Sequence, residues 1–177
     1  MLVFPYEGVV RHVLVQSAPG IPSSLWWATA IVVLVLALTA LHDIRTTTIP
    51  EAPIFLGLLA LTGLLGMEKS WPDAAMHLRH GIEAGLAVWA VNFMWRLFFK
   101  NDALGMGDAK WSMLAAACFG LKAVIVAWGI GACLAVLWIA AMHIARRRIA
   151  HVTFAPFLCA GLAAGIYALR FADMRFF

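Results

Sequence analysis

Long apolar runs separated by short polar segments dominate the sequence. A transmembrane helix needs about 20 mostly apolar residues, and six runs approach or meet that length: 23–42, 52–67, 81–99, 104–121, 123–144 and 152–169. The second run is uncharged but short, and the third and fourth each contain one acidic and one basic residue. The pattern predicts six membrane spans, with a re-entrant short segment as the alternative. The turns between them are indicated by Pro50, Pro53, Pro72 and Gly81.

Composition supports the same interpretation. Hydrophobic residues make up 64% of the 177 residues, charged residues 12%, and the mean hydropathy is +0.91, far from the values of water-soluble domains. We therefore expect an all-α, polytopic membrane protein with one membrane-embedded domain, residues 1–177. Residues 1–22 lack the basic start and apolar segment of a secretory signal, so we interpret them as a tail that can lie at the interface.

Charge and cysteine content exclude several function classes. The net charge is +4, but no basic run is interleaved with exposed aromatic residues, so we expect no nucleic-acid partner. Cys118, Cys133 and Cys159 stand singly within apolar runs, which favours neither a metal site nor a disulfide framework. Several tryptophans near predicted span ends are typical of interface anchors: Trp26, Trp27, Trp71, Trp111 and Trp128.

Three polar elements fall on one membrane face if there are six spans. Asp43 ends the first span, Asp108 begins the fourth, and the arginine triplet 146–148 ends the fifth. Basic residues in short loops favour the cytoplasmic side. We therefore predict that the loops holding Asp43, Asp102 and Arg147 are cytoplasmic, in the inner (cytoplasmic) membrane. Both termini and the 69–79 loop would then lie outside.

The two aspartates need an explanation, because a charged side chain within a membrane helix is costly. One interpretation is structural: Asp43 ends a helix, and Asp108 caps a helix that begins at Ala109. The other is catalytic, since two carboxyl groups at one depth can share a proton, as in aspartic proteases. Gly105 and Gly107 precede Asp108 and remove side chains where a backbone must approach closely, although small residues also serve ordinary helix packing.

These residues resemble the type IV prepilin peptidases, membrane aspartic proteases of the GxGD class. GMGDAK, residues 105–110, matches the GxGDxK element of that family, and DIRTTTIP, residues 43–50, is similar to its first aspartate followed by an Ile-Pro pair. APFLCAG, residues 155–161, is similar to a stretch of the last family helix. Glu51 stands where the family often has Asp or Asn, so the resemblance assigns that position no role.

The resemblance implies an endopeptidase that cleaves the leader of prepilins or pilin-like precursors at the cytoplasmic face, with Asp43 and Asp108 activating water. It assigns neither aspartate to base or acid. Supporting roles would fall to the remaining motif residues: Gly105, Gly107, Lys110, Pro50 and Arg45. Arg45 and Lys110 could favour ionised aspartates, or extend toward lipid headgroups. No metal or cofactor is implied, and the partners are the precursor and membrane lipid.

Longer family members carry paired CxxC motifs and also methylate the new pilin end. This chain shows no such motif and resembles the short form associated with tight-adherence pili, so we expect no methyltransferase activity. Two other function classes stay open. A proton-coupled transporter would place acids at the bilayer midplane, and a non-catalytic pilus assembly protein would tolerate loss of both carboxylates.

Overall fold

The computed structural model describes residues 26–100, 105–146 and 152–174, and this part of the chain is helical with short connections. Its helices are α1 (Trp26–Thr46), α2 (Glu51–Glu68), α3 (Trp71–Phe99), α4 (Met106–Phe119), α5 (Leu121–Ile144) and α6 (Ala155–Met174). The predicted all-α class and the six helices are confirmed. The predicted tail 1–22, Asp102 and Arg147 lie outside the described residues.

Four helices, α1, α2, α3 and α5, are long and apolar enough to cross a membrane, and α6 adds a shorter apolar stretch, Ala155–Ala168. Their outer faces carry large exposed apolar side chains such as Leu34, Leu59 and Leu137. In water such a surface would be unfavourable, whereas lipid tails accommodate it. The protein is a multi-pass membrane protein.

Helix α4 lies at the centre of the bundle, where it contacts all five other helices. It is buried on nearly every side, and Trp111, Leu114 and Ala115 are fully inaccessible. Its 14 residues extend about 21 Å, less than the hydrocarbon thickness of about 30 Å. It is therefore too short to cross the hydrocarbon region by itself, and its first turn holds the buried side chain of Asp108.

Helix α3 begins ten residues earlier than predicted, so the expected 69–79 loop shrinks to two residues between α2 and α3. The hydroxyl of Ser70 accepts a hydrogen bond from the Asp73 backbone N–H at 3.2 Å, and Pro72 occupies the first turn. Both are features of a helix start. The predicted turn at Gly81 is also wrong: a Cβ there would lie 2.7 Å from the Met113 carbonyl oxygen, so this glycine permits close packing of α3 on α4.

Helices α5 and α6 form the most extensive helix pair. A Cβ on Gly131 would lie 3.0 Å from the Phe157 carbonyl oxygen, and a Cβ on Gly161 would collide with the Ala127 carbonyl oxygen. Close backbone approach through small residues is the usual way for helices to associate in lipid. The glycine of the APFLCAG stretch is therefore a packing residue that fixes the position of Ala155, the first residue of α6.

Candidate active site

A cavity of about 1320 Å³ opens at the end of the bundle where α1, α3 and α5 end and α2, α4 and α6 begin. We call this end the dyad side, because the pair (dyad) of carboxyl groups of Asp43 and Asp108 lies there. Nineteen described residues line the cavity: Asp43, Thr47, Thr48, Ile49, Glu51, Trp95, Gly105, Met106, Gly107, Asp108, Lys110, Trp128, Ala132, Ala135, Val136, Ile139, Val152, Thr153 and Phe154. Both motif aspartates are among them.

Asp43 reaches the cavity because it continues the buried face of α1. Buried residues recur along that helix at the spacing of three and four that defines one helical face: Ala28, Val32, Leu36, Thr39, Ala40 and Asp43. The carboxyl-bearing residue is only 7% exposed. The backbone N–H of Ala155, at the start of α6, lies close to its carboxylate. The side chain of Asp43 is therefore positioned by the buried face of α1, at the end of that helix, and by the start of α6 next to it.

Asp108 is the third residue of α4 and is also 7% exposed. Its Oδ2 accepts a hydrogen bond from the Gly105 backbone N–H at 3.2 Å. The helix begins at Met106 rather than at Ala109, so the expectation of an N-cap at Asp108 is wrong in position, although the side chain does satisfy a backbone donor at the helix start. Asp43 is close enough to act electrostatically on Asp108.

The two aspartate motifs are in direct contact through Gly107 and Ile49. A Cβ on Gly107 would lie 2.7 Å from the Cβ of Ile49, a separation that real side chains do not adopt. Gly105 has more room, since the nearest atom to a Cβ there is Oδ2 of Asp108 at 3.6 Å. The second glycine of the motif is therefore required by packing, whereas nothing in the local geometry requires the first.

The segment between α1 and α2 is held by a small hydrogen-bond network around His42. Its Nδ1 lies 3.0 Å from the Thr48 carbonyl oxygen and 2.8 Å from the Thr46 hydroxyl, and the Thr47 N–H donates to the Asp43 carbonyl oxygen at 2.8 Å. This network places Ile49 against Gly107. His42 is not among the site residues predicted from the sequence, although its spacing from the three threonines is a signal for a local turn.

Lys110 and Glu51 form an ion pair across 59 positions of sequence. The pair joins the first residue of α2 to α4 beside the cavity, and Glu51 is well exposed. The sequence assigned no role to Glu51, and in the structure this residue pairs with Lys110. Lys110 therefore faces Glu51 rather than lipid. Arg45 is exposed at the end of α1 and is not among the cavity-lining residues. Pro50 is the N-cap residue of α2, with a φ of −67° and an extended backbone, so α2 begins at the next residue.

Two tryptophans are not the interface anchors that the sequence predicted. Trp111 is fully buried in the core. Trp128 lies within α5, lines the cavity, and donates from its indole N–H to the Ser112 hydroxyl at 3.0 Å. Its ring also lies 5.0 Å, centroid to centroid, from that of Phe154. Both were assigned from their distance to predicted span ends, but helix packing directs them inward.

The chemistry that this arrangement offers is that of paired carboxyl groups. Two buried carboxyl groups at one cavity can share a proton, which leaves one group as base and the other as acid. Among the described residues, no three His, Cys, Asp or Glu side chains lie close enough together to hold a metal ion. The three cysteines are free and none of them lines the cavity.

Comparison with known families gives one match. A model of the type IV leader peptidase family matches residues 30–141, a range that contains both aspartate motifs. No curated protein and no solved structure matches the chain.

Proposed function

Because the chain belongs to the type IV leader peptidase family, we propose that it is an aspartic endopeptidase that removes the leader of prepilins or pilin-like precursors. Asp43 and Asp108 would be its catalytic pair. The observation that carries the proposal is their common cavity: two buried carboxyl groups from separate motifs line one opening.

In the proposed reaction, one carboxylate removes a proton from a water molecule and the protonated partner donates to the scissile carbonyl oxygen. The water oxygen forms a bond to the carbonyl carbon and yields a tetrahedral intermediate. Collapse of that intermediate breaks the C–N bond, and a proton passes to the leaving amine. No covalent enzyme intermediate forms, and either aspartate can serve as the initial base because the pair titrates as a unit.

The position of the pair argues against a proton-coupled transporter. Such a carrier is expected to hold its acids near the bilayer midplane, whereas Asp43 is in the last turn of α1 and Asp108 is in the first turn of α4. The family match argues against a non-catalytic assembly protein. The proposed enzyme cleaves only, without methyltransferase activity, and residues 1–177 would form its single domain.

The decisive experiment is co-expression with a prepilin, read by the change in gel mobility of the processed product. Wild-type protein should process the precursor, and Asp43→Asn and Asp108→Asn should each abolish processing. Asn keeps the side-chain volume but supplies neither carboxylate base nor carboxylic acid. Processing by either Asn variant at a rate near wild type would reject the dyad. So would loss of activity that is explained by failure of both variants to insert.

We further propose that the dyad side faces the cytoplasm, in the inner membrane. Support comes from the arginine triplet at the end of α5, of which Arg146 is described, because short basic loops stay cytoplasmic. In a cysteine-free background, Arg45→Cys should resist a membrane-impermeant thiol reagent in intact cells. Met67→Cys, at the opposite end of α2 and 83% exposed, should react. The reverse labelling pattern would reject this orientation.

A further inference from the structure

A second, wholly apolar groove of about 250 Å³ runs between α3 and α5. It has eight described lining residues: Ala84, Ala87, Val88, Val91, Leu121, Val124, Ile125 and Trp128. None of these side chains carries a charge. Because α3 supplies alanines and valines here, another helix could approach its backbone closely, as small residues allow in membranes.

The groove and the dyad cavity lie next to each other along α3 and α5, with Trp128 in the lining of both, and we call the two together the furrow. On α3, Val88 and Val91 line the groove and Trp95 lines the cavity, at the spacing of three and four residues that keeps side chains on one helical face. On α5, Ile125 lines the groove, Ala132 lines the cavity, and Trp128 lies between them and lines both. Both helices run toward the dyad side, so the furrow leads toward the aspartates along the outer surface of the bundle, where Val91 and Ile125 are more than half exposed.

The chemical character of the furrow changes along its length. Among the described residues that line the cavity, three carry carboxyl groups, Asp43, Glu51 and Asp108, and one is basic, Lys110. The groove beyond Trp128 is apolar. Lys110 is paired with Glu51, so the described cavity offers no unpaired cation to a lipid phosphate. The furrow therefore fits a polypeptide that is basic or polar on one side of a junction and apolar on the other.

We propose that this groove binds the apolar helix of the substrate, namely the residues that follow the scissile bond, while the residues before the bond occupy the acidic cavity. This inference rests on the proposed peptidase function and identifies a second substrate contact beyond the dyad. From Leu121 to Trp128 the groove spans about 10 Å, so it would contact about two turns of the substrate helix. The groove would thereby set which apolar segments are accepted.

The first test compares Ala87→Trp, which fills the groove, with Ala60→Trp, which adds the same bulk to an exposed position on α2 outside both cavities. Full-length enzyme in lipid nanodiscs would cleave a precursor with its whole apolar helix and a precursor truncated a few residues after the scissile bond. Ala87→Trp should raise KM for the whole precursor about tenfold, the change produced by losing about 1.4 kcal/mol of binding, with kcat and cleavage of the truncated precursor unchanged. Ala60→Trp should match wild type.

Equal activity of the two tryptophan variants on the whole precursor would overturn the inference and indicate that the groove contacts lipid instead of substrate. Equal loss on both substrates would also overturn it, since the substitution would then act by distorting the dyad. If wild-type enzyme cleaves neither precursor, the proposed function itself fails, and that outcome is distinct from both of the others.

A second test does not depend on cleavage. p-Benzoylphenylalanine at position 91, in the Asp108→Asn background, should cross-link to the apolar helix of the precursor on illumination. The same probe at position 59, which is 71% exposed on α2 and outside the groove, is the control and should cross-link mainly to lipid. Cross-linking to lipid alone from position 91, or equal capture of precursor from both positions, would overturn the proposed groove.

Discussion

The first turns of α3 and α4 have the same local arrangement but opposite surroundings. In each, an aspartate is the third helical residue and accepts a hydrogen bond from the residue before the helix: Asp73 from the Ser70 hydroxyl at 2.8 Å, and Asp108 from the Gly105 N–H at 3.2 Å. Asp73 is only partly buried, at the end of the bundle away from the dyad. Asp108 is buried and shares a cavity with Asp43.

Helix capping explains why Asp73 and Asp108 both accept a hydrogen bond at a helix start. It does not explain why Asp108 alone is buried beside a second carboxyl group. A capping carboxylate contributes about 1 kcal/mol wherever the helix begins, and it does not need a second carboxyl group beside it. Two neighbouring carboxyl groups oppose each other when both are ionised. Stability therefore does not explain their juxtaposition in one cavity, which supports the proposed catalytic role.

The largest expected effect separates these two aspartates directly. Asp108→Asn should lower prepilin cleavage by roughly 10²–10⁴-fold, the usual contribution of a general acid or base. Asp73→Asn should leave cleavage near wild type, because the amide oxygen can still accept a capping hydrogen bond. Initial rates with purified protein, alongside a thermal melt of each variant, measure both quantities. Equal loss of activity in the two variants would mean that Asp108 acts only as a cap.

The second prediction concerns the contact that joins the two motifs. Gly107→Ala would place a methyl group against Ile49, and overpacking of this kind costs about 1–3 kcal/mol. Displacement of the 43–50 segment by about 1 Å would lower activity on the order of 10²-fold. Gly105→Ala, at a position with ordinary room for a Cβ, is the matched control and should retain far more activity. Cleavage rates and thermal stability of both variants check this, and a Gly107→Ala enzyme more active than Gly105→Ala would contradict it.

A smaller effect is expected at the Glu51–Lys110 ion pair. Because Glu51 is 65% exposed, the pair should contribute only about 0.2–1 kcal/mol to stability. Lys110→Glu should nevertheless reduce cleavage, since it adds a fourth acidic group to the cavity and releases the start of α2. The double variant Glu51→Lys/Lys110→Glu should recover part of that loss. A double-mutant cycle of cleavage rates measures the coupling, and strictly additive effects would show that the pair has no positioning role.

The smallest effect is expected from the cysteines, none of which lines the cavity. Replacement of Cys118, Cys133 and Cys159 together by alanine should leave cleavage largely intact. The buried Cys118 thiol should account for most of any stability loss, because truncation of a core side chain removes packing contacts. Cleavage assays and a thermal melt would check both. A folded, inactive cysteine-free protein would refute an aspartate-only mechanism.

Sequence alone predicted the features that follow from local periodicity. Apolar run lengths gave the helices, and counting spans gave the shared side of Asp43 and Asp108, because each crossing reverses the chain. The inward direction of Asp43 follows from the buried spacing along α1, which only the structure shows, because that helix is apolar on every face. The early start of α3 was missed because polar residues such as Asp73 and Arg79 interrupt the apolar run before Gly81. In the structure Arg79 is helical and pairs with Glu83 one turn later at 2.7 Å.

Features that depend on long-range packing could not be predicted. The Glu51–Lys110 pair joins residues 59 positions apart, and the contact of Ile49 with Gly107 joins two motifs that a single sequence leaves unconnected. Trp128 was misassigned for the same reason, since its direction depends on the packing of α5 against Ser112 and Phe154. In lipid, apolar side chains face both outward and inward, so hydrophobicity alone does not identify the inner face of a helix.

The central claim is that Asp43 and Asp108 act as one unit, and a kinetic cycle tests it most directly. It compares kcat/KM of wild type, Asp43→Asn, Asp108→Asn and the double variant on one purified prepilin. If the two groups carry out one step together, removal of either one already abolishes that step. The kcat/KM of the double variant should therefore be no lower than that of either single variant. A double variant whose loss equals the product of the two single losses, or a single variant that retains most of wild-type kcat/KM, would contradict the account.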